Sequence, residues 1–146
     1  MKAVLTPTPE ELGVLIKATQ AVLNQRMDEV LRPLGLTVAQ YACLRNLSDE
    51  PGITSSELAR RSFVSRQSMN VMLQGLEKMG LVDRAEQPGP RRERSAMPAT
   101  RAEDLLAEAS AAVSGVVERM TENLDAKQRS NLHDLLETCH RALLSG

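Results

Sequence analysis

The stretch from residue 53 to residue 101 constrains the fold of this 146-residue chain more than any other. Thr54 precedes Glu57 by three residues, a capping-box spacing in which the Thr54 hydroxyl caps the Glu57 amide and the Glu57 carboxylate returns to the Thr54 amide. The helical pattern breaks at residues 62–64, restarts behind Ser65, a good N-cap residue, and stops at Gly80. Two short helices joined by a three-residue turn are the plan of a helix-turn-helix.

The two faces of the second of these helices differ in chemistry. Apolar residues recur at helical spacing on one side, namely Met69, Met72, Leu73 and Leu76. The other side carries polar residues that can hydrogen-bond to base edges, namely Arg66, Gln67, Asn70 and Gln74. Because the second helix of a helix-turn-helix reads DNA near its N-terminus, we predict a recognition helix. The alternative is an ordinary solvated face, but such faces usually carry Glu/Lys pairs, which occur here only at Glu77 and Lys78.

A basic hairpin is predicted directly behind this helix. Residues 81–87 are typical of a short strand, residues 88–90 (Pro-Gly-Pro) force a turn, and Arg91, Arg92 and Arg94 follow at or just past the tip. An exposed tip rich in arginine suits contacts with phosphates or a minor groove. The return strand, residues 95–99, is poor in β-forming residues, which predicts a short wing. We therefore predict a mainly α fold with a small β-hairpin wing, a winged helix-turn-helix spanning residues 37–99.

The charge distribution agrees with a nucleic-acid partner. The whole chain has a net charge of only −1, which by itself would not indicate DNA binding. Residues 57–101, however, hold nine basic and five acidic side chains, a net charge of +4, which leaves −5 for the remainder. A basic middle flanked by acidic ends predicts one surface that binds phosphates and others that are kept away from them.

The two ends of the chain are predicted to form a dimerisation scaffold, residues 8–33 and 100–146. Capping signals occur at Thr8, Thr37, Thr100 and Asp125, and the flanking helices carry apolar stripes that one small lobe cannot cover. Self-association would bury these stripes, so we predict a homodimer. A monomeric helix bundle is the alternative.

The motifs closely resemble those of the MarR family of bacterial transcriptional regulators. The resemblance covers nearly the whole chain and rests on residues 36–41, 53–59, 64–69 and 76–82. It implies a homodimer that binds a palindromic operator, usually as a repressor, and that a small-molecule effector often releases. One departure lies in the wing, where the family usually has an aspartate and this chain has Pro90 or Arg91. A winged-helix module that binds proteins instead of DNA is the alternative function.

The residues that we predict to contact double-stranded DNA come from the recognition helix and the wing. They are Ser65, Arg66, Gln67, Ser68, Asn70, Gln74, Arg91, Arg92 and Arg94.

Other classes of function find less support in the sequence. It has no Gly-rich phosphate loop or nucleophile elbow, so we predict neither an enzyme nor a cofactor. No apolar run is long enough for a membrane span and the N-terminus does not resemble a signal peptide, which favours a cytoplasmic protein. His133, Glu137 and His140 share a helix face that could hold a metal ion, although a solvated or interfacial face is the more common explanation.

The two cysteines, Cys43 and Cys139, are interpreted as structural. Cys43 lies among apolar helix residues and Cys139 lies in the apolar stripe of the last helix. Some members of the family that this chain resembles sense peroxide through a cysteine in their first helix. Residues 8–33 contain no cysteine, which disfavours redox sensing here.

Overall fold

The computed structural model describes residues 6–62, 64–85 and 95–146, and the chain there is mainly helical with one small hairpin, as the sequence predicted. The elements in chain order are α1 (Pro9–Leu31), α2 (Val38–Asp49), α3 (Ser55–Arg61), α4 (Arg66–Lys78), β1 (Val82–Arg84), β2 (Ala96–Pro98), α5 (Thr100–Met120) and α6 (Ala126–Leu144). A short 3-10 turn, Arg32–Leu34, follows α1. The hairpin is antiparallel, with Arg84 opposite Ala96.

Several predicted helix starts are confirmed. Thr8, Thr37 and Asp125 each form a complete capping box with the residue three positions later. These caps satisfy backbone amides that the first helical turn would otherwise leave unpaired. Gly80 has φ = +75°, a backbone conformation that favours glycine, and it ends the recognition helix as predicted.

Two predicted helix starts differ from the structure. The Thr54 hydroxyl accepts a hydrogen bond from the Glu57 amide at 3.2 Å, but the Glu57 carboxylate pairs with Arg60 and Arg61 and does not return to Thr54. The α5 helix starts one residue earlier than predicted, because Ala99 and not Thr100 occupies the N-cap position. The Ala99 amide donates to the Leu81 carbonyl at 2.9 Å, which keeps Ala99 in the extended conformation of the hairpin.

The core lies inside the lobe formed by α2, α3, α4 and β1, closed by the N-terminal half of α5. Its largest fully buried side chains are Leu31, Cys43, Leu44, Leu47, Leu58, Met69, Leu73, Leu76, Leu81 and Val82. The buried leucines of α4 and the α2 leucines belong to one cluster, so the recognition helix is held by the same core as the rest of the lobe. Cys43 belongs to this core, which confirms the prediction of a small buried residue.

The flanking helices present apolar side chains to the outside of the chain. Residues 9–22 of α1 and all residues of α6 are exposed. The large apolar side chains among them are Leu12, Val14, Leu15, Ile16, Val22, Leu132, Leu135, Leu136, Leu143 and Leu144. Cys139 is exposed with them in the single chain, so only Cys43 of the two cysteines interpreted as structural is buried there.

Candidate nucleic-acid interface

The recognition helix α4 has the two faces that the sequence predicted. Met69, Leu73 and Leu76 are buried, and Met72 packs partly against the same core. Arg66, Gln67, Ser68 and Gln74 are exposed, whereas Asn70 is half-buried. The core therefore fixes the helix by one side and leaves a polar side that a DNA groove could receive.

The first turn of α4 is organised by Ser65 and Ser68. The Ser65 hydroxyl accepts a hydrogen bond from the Ser68 amide at 3.0 Å and lies 2.9 Å from the Ser68 hydroxyl. The two hydroxyls are therefore held together at the helix N-terminus, where the helix dipole favours a negative charge. This arrangement suits a phosphate contact more than base reading.

The base of the wing is held by hydrogen bonds on both sides of β2. The Ala85 amide donates to the Ser95 carbonyl at 3.0 Å, which closes the hairpin. On the other side the Gly52 amide donates to the Ala96 carbonyl at 2.9 Å, and the Ala96 amide donates to the Ile53 carbonyl at 3.2 Å. The wing is thereby tied to the start of α3. The predicted contact residues Arg91, Arg92 and Arg94 lie outside the described residues.

A side-chain contact joins the wing base to the recognition helix. Arg84, at the end of β1, donates from Nη2 to the Asn70 Oδ1 atom across 3.4 Å. The two residues are 14 positions apart in the sequence, so helical spacing gives no indication of this contact. Arg84 was counted in the basic segment but was not predicted as a site residue.

Two basic side chains of the predicted positive segment are already paired with carboxylates. Arg61 contacts Glu50 at 2.5 Å and Glu57 at 3.4 Å, and Arg60 also pairs with Glu57. Desolvation alone would lower the pKa of Arg61, but its hydrogen bonds to Glu50 and Glu57 raise it. Because these pairs neutralise part of the charge on α3, the sequence count overstates the positive charge that α3 offers to a phosphate.

Val71 is a candidate contact residue that the sequence reasoning missed. Its side chain is 62% exposed although it lies in α4 between Gln67 and Gln74. An exposed β-branched residue on this side can contact the methyl group of a thymine. The signal was available, because a valine outside the stripe formed by Met69, Leu73 and Leu76 has no place in the core.

The described residues give no support to a metal site or a membrane span. His133 lies 3.2 Å from Asp134 and 3.9 Å from Glu137, but across residues 6–62, 64–85 and 95–146 no three potential ligands are grouped to hold a metal ion. None of the helices that the structure describes has the length and apolar character that crossing a membrane requires.

Two stacked short helices, a second helix with an exposed polar face and a hairpin behind it define a winged helix-turn-helix protein. Residues 34–93 match the model of the MarR family. Over 126 residues the chain is 37% identical to the HTH-type transcriptional repressor Rv2887 of Mycobacterium tuberculosis, a match that covers 86% of this chain and 91% of that protein. The chain therefore belongs to the MarR family and is a DNA-binding transcriptional regulator.

Two solved structures of Rv2887 are similar to this chain over nearly their whole length. Its complex with DNA gives a TM-score of 0.73 at 35% identity and covers 91% of this chain and 98% of that one. Its complex with p-aminosalicylic acid gives a TM-score of 0.71 at 36% identity and covers 88% and 98%. The shared fold thus includes a member bound to DNA and bound to a small organic acid.

Proposed function

We propose that this protein is a homodimeric repressor that binds a palindromic operator with α4 of each copy in the major groove. The observation that carries the proposal is the exposed polar face of α4, which is fixed to the lobe by its buried side. A dimer of this kind contacts two half-sites about one helical turn apart, roughly 34–36 Å or about 10 bp from centre to centre.

The dimer is supported by the apolar surface that the single chain leaves exposed. Every residue of the 19-residue α6 helix is exposed, including five leucines. A cavity of about 500 Å³ opens between α1 and α5, and Val22, Leu23, Val116 and Met120 are among its lining residues. Burial of apolar area stabilises a subunit interface by about 25 cal/mol for each Å² removed from water. Residues 8–33 and 100–146 therefore form the proposed dimerisation region.

Charge substitution on α6 tests the dimer. Leu136→Glu places a carboxylate in the apolar stripe, and we expect dissociation into monomers at micromolar concentration in sedimentation velocity. Ser130→Glu is the matched control, because Ser130 lies on the opposite side of the same helix and is also exposed. A wild-type protein that sediments as a monomer would contradict the proposal.

In the proposed DNA complex the helix and the wing have different roles. Gln67, Asn70 and Gln74 read base edges, Ser65 and Ser68 contact phosphate at the helix start, and Arg66 can reach either. Arg91, Arg92 and Arg94 contact phosphates or the minor groove, as their predicted place at a hairpin tip favours.

Alanine substitutions separate these roles. Gln67→Ala or Asn70→Ala should weaken binding to the operator by about 1–3 kcal/mol and leave binding to random DNA nearly unchanged. Arg92→Ala or Arg94→Ala should weaken both and reduce the slope of log K against log salt by about one for each phosphate that the variant no longer neutralises. Asn123→Ala and Lys127→Ala are the matched controls, because both lie beyond the far end of α5, ~30 Å along that helix from the wing.

The outcome also tests the alternative function. A wild-type protein that selects no sequence from a random duplex library would indicate a protein-binding module. If the Gln67 and Asn70 variants lose specific and random binding equally, the proposed division between base and phosphate contacts is wrong.

We further propose that a small organic acid releases the operator by binding between α5 and the lobe. A cavity of about 330 Å³ lies there, lined by residues of α2 and α5 that include Arg45, Ser48 and Leu106. Arg45 donates to the Ser110 hydroxyl at 3.0 Å and supplies a cation that could pair with a carboxylate. Such a ligand acts as an inducer only if it binds the DNA-free form more tightly than the bound form.

This effector site is tested with salicylate and p-aminosalicylate. In a titration that measures operator release, Arg45→Met should remove the response and leave DNA affinity without ligand unchanged. Arg26→Met probes the other cavity, because Arg26 lines the space between α1 and α5. Loss of the response in Arg26→Met but not in Arg45→Met would place the effector in that other cavity, and equal ligand affinity for free and operator-bound protein would exclude this mechanism.

A further inference from the structure

The contact between Arg84 and Asn70 determines which end of the Asn70 amide is free. The Arg84 Nη2 atom donates to Asn70 Oδ1 across 3.4 Å. A guanidinium group has only donors, so the amide oxygen must face Arg84 and the amide nitrogen must lie at the other end. In the part of the chain that the structure describes, Asn70 Nδ2 makes no hydrogen bond.

This orientation limits the bases that Asn70 can recognise. An asparagine usually reads adenine with both ends of its amide, accepting from N6 and donating to N7. Here the oxygen accepts from Arg84, and a base that used its second lone pair would have to approach the end of the amide that the guanidinium already occupies. The groups left without a partner are the two N–H donors of Nδ2, and these are the ones that we take to face DNA.

Among the four bases, guanine matches a pair of donors best in the major groove. It presents two acceptors, O6 and N7, whereas adenine presents a donor beside its acceptor and cytosine presents a donor. Thymine offers one acceptor, O4, beside its methyl group. Two donors facing an N–H group of adenine or cytosine would leave both unsatisfied, which is unfavourable where water is excluded.

We infer that Arg84 is a positioning residue that turns Asn70 into a donor-only reader, so that Asn70 selects guanine at one position in each operator half-site. The inference rests on the proposed function, because it requires α4 to lie in the major groove. Arg84 acts through Asn70 and not on the base. Arg84 lies at the end of β1, which pairs with β2. The choice of nucleobase by Asn70 is therefore linked to the start of the wing hairpin.

The test compares base preference in the wild-type chain and in five variants, which are Asn70→Ala, Asn70→Asp, Arg84→Met, Arg84→Lys and Gln67→Ala. An operator is first selected by the wild type from a random duplex library, and Kd is then measured for all four base pairs at each position. We expect the wild type to prefer guanine about tenfold at one position in each half-site, and Asn70→Ala to remove that preference. Arg84→Met keeps the length of the side chain but removes the donor, so Asn70 can turn and adenine should be accepted as well as guanine.

Two conservative variants keep the test independent of any loss of folding in Arg84→Met. Arg84→Lys retains a donor and should keep the guanine preference. Asn70→Asp retains the oxygen that faces Arg84 and replaces the donors by an acceptor, so the preference should shift towards cytosine. Replacing the selected guanine by 7-deazaguanine, which lacks the N7 acceptor, should weaken binding of the wild type but not of Asn70→Ala.

The outcomes separate this inference from the proposed function. If Asn70→Ala removes a base preference but Arg84→Met and Arg84→Lys both keep the wild-type preference, Arg84 does not orient Asn70 and the inference fails. It also fails if Asn70→Ala changes no preference while Gln67→Ala changes one, and in both cases DNA reading by α4 stands. If the wild type selects no sequence, the proposed function itself fails.

Discussion

The Cys43 thiol should be almost unreactive in the folded protein. Its side chain is 1% exposed, and its sulfur lies 3.9 Å from the Met69 sulfur. Burial raises the pKa of Cys43 from its ordinary value of 9.0 to about 12. The thiolate is the reactive form, so at a given pH below 9 the reactive fraction is about 1000-fold smaller than for an ordinary thiol.

Single-cysteine variants measure this protection. Cys139→Ala leaves Cys43 as the only thiol, and its reaction with Ellman's reagent at pH 8 should be at least about 1000-fold slower in native buffer than in concentrated guanidinium. Cys43→Ala leaves only Cys139, which is exposed in the single chain and should react readily unless a partner chain covers α6. Alanine is used because serine would bury a hydroxyl group in the core.

The same pKa predicts a loss of stability at alkaline pH. The pKa of Cys43 in the folded state is raised above its unfolded value, so the contribution of the buried thiol to the free energy of unfolding is fully present below pH 9. This contribution is lost as the pH rises towards 12, because only the thiol of the unfolded chain ionises between these two pH values. The difference in unfolding free energy between the wild type and Cys43→Ala should therefore change by up to about 4 kcal/mol across this pH range. Cys43 that reacts equally fast in the folded and unfolded protein, or peroxide that releases the operator from the wild type but not from Cys43→Ala, would refute the argument.

Substitutions at four further positions test how the lobe is held together. Gly80→Ala should destabilise the fold by about 1–2 kcal/mol, because φ is +75° at this position. Gly75→Ala lies in the interior of α4 with open space around it and should stabilise the fold by about 0.5–1 kcal/mol. Thermal melts in which both variants shift the stability in the same direction would be inconsistent with this reasoning. Thr37→Ala removes the hydroxyl that accepts from the Gln40 amide at the start of α2 and should cost about 1 kcal/mol in urea unfolding, with Thr37→Ser close to the wild type as the control. Arg101→Met removes the hydrogen bond of 2.5 Å to the Met79 carbonyl and should speed amide hydrogen exchange in the last turn of α4 but not in α2; unchanged exchange in α4 would show that the bond does not hold the helix end.

The predictable features of this chain are those set by residues close together in sequence. The starts at Thr8, Thr37, Ser65 and Asp125 follow from side chains that reach an amide three residues away. The buried and exposed faces of α4 follow from helical periodicity in the same way. Local rules therefore sufficed for the fold class and for most of the candidate recognition helix.

The errors arose where a second partner competed with the one that the capping-box spacing favoured. Glu57 had the right spacing to complete a capping box, but its carboxylate pairs with Arg60 and Arg61 of the same helix, and Arg61 also contacts Glu50 at the end of α2. Thr100 had the right type for an N-cap, but pairing of Ala99 with Leu81 moved the helix start. The contacts of Arg61 with Glu50 and of Ala99 with Leu81 depend on how the elements pack against each other. The periodicity of a single sequence does not predict that packing.

Three parts of the structure contact the recognition helix: the core, the wing and α5. The core fixes its middle through Met69 and Leu73, the wing base reaches Asn70 through Arg84, and α5 reaches the last turn through Arg101. Arg101 is the second residue of α5, a helix of the proposed dimerisation region, and it donates to the Met79 carbonyl. A displacement of α5 that exceeds the reach of the Arg101 side chain therefore either breaks that hydrogen bond or moves the end of α4 with it. A ligand lodged between α5 and the lobe would thus act on the recognition helix through this hydrogen bond and through Ala102, Leu106 and Ala109 of α5, which belong to the core that α4 shares with α2.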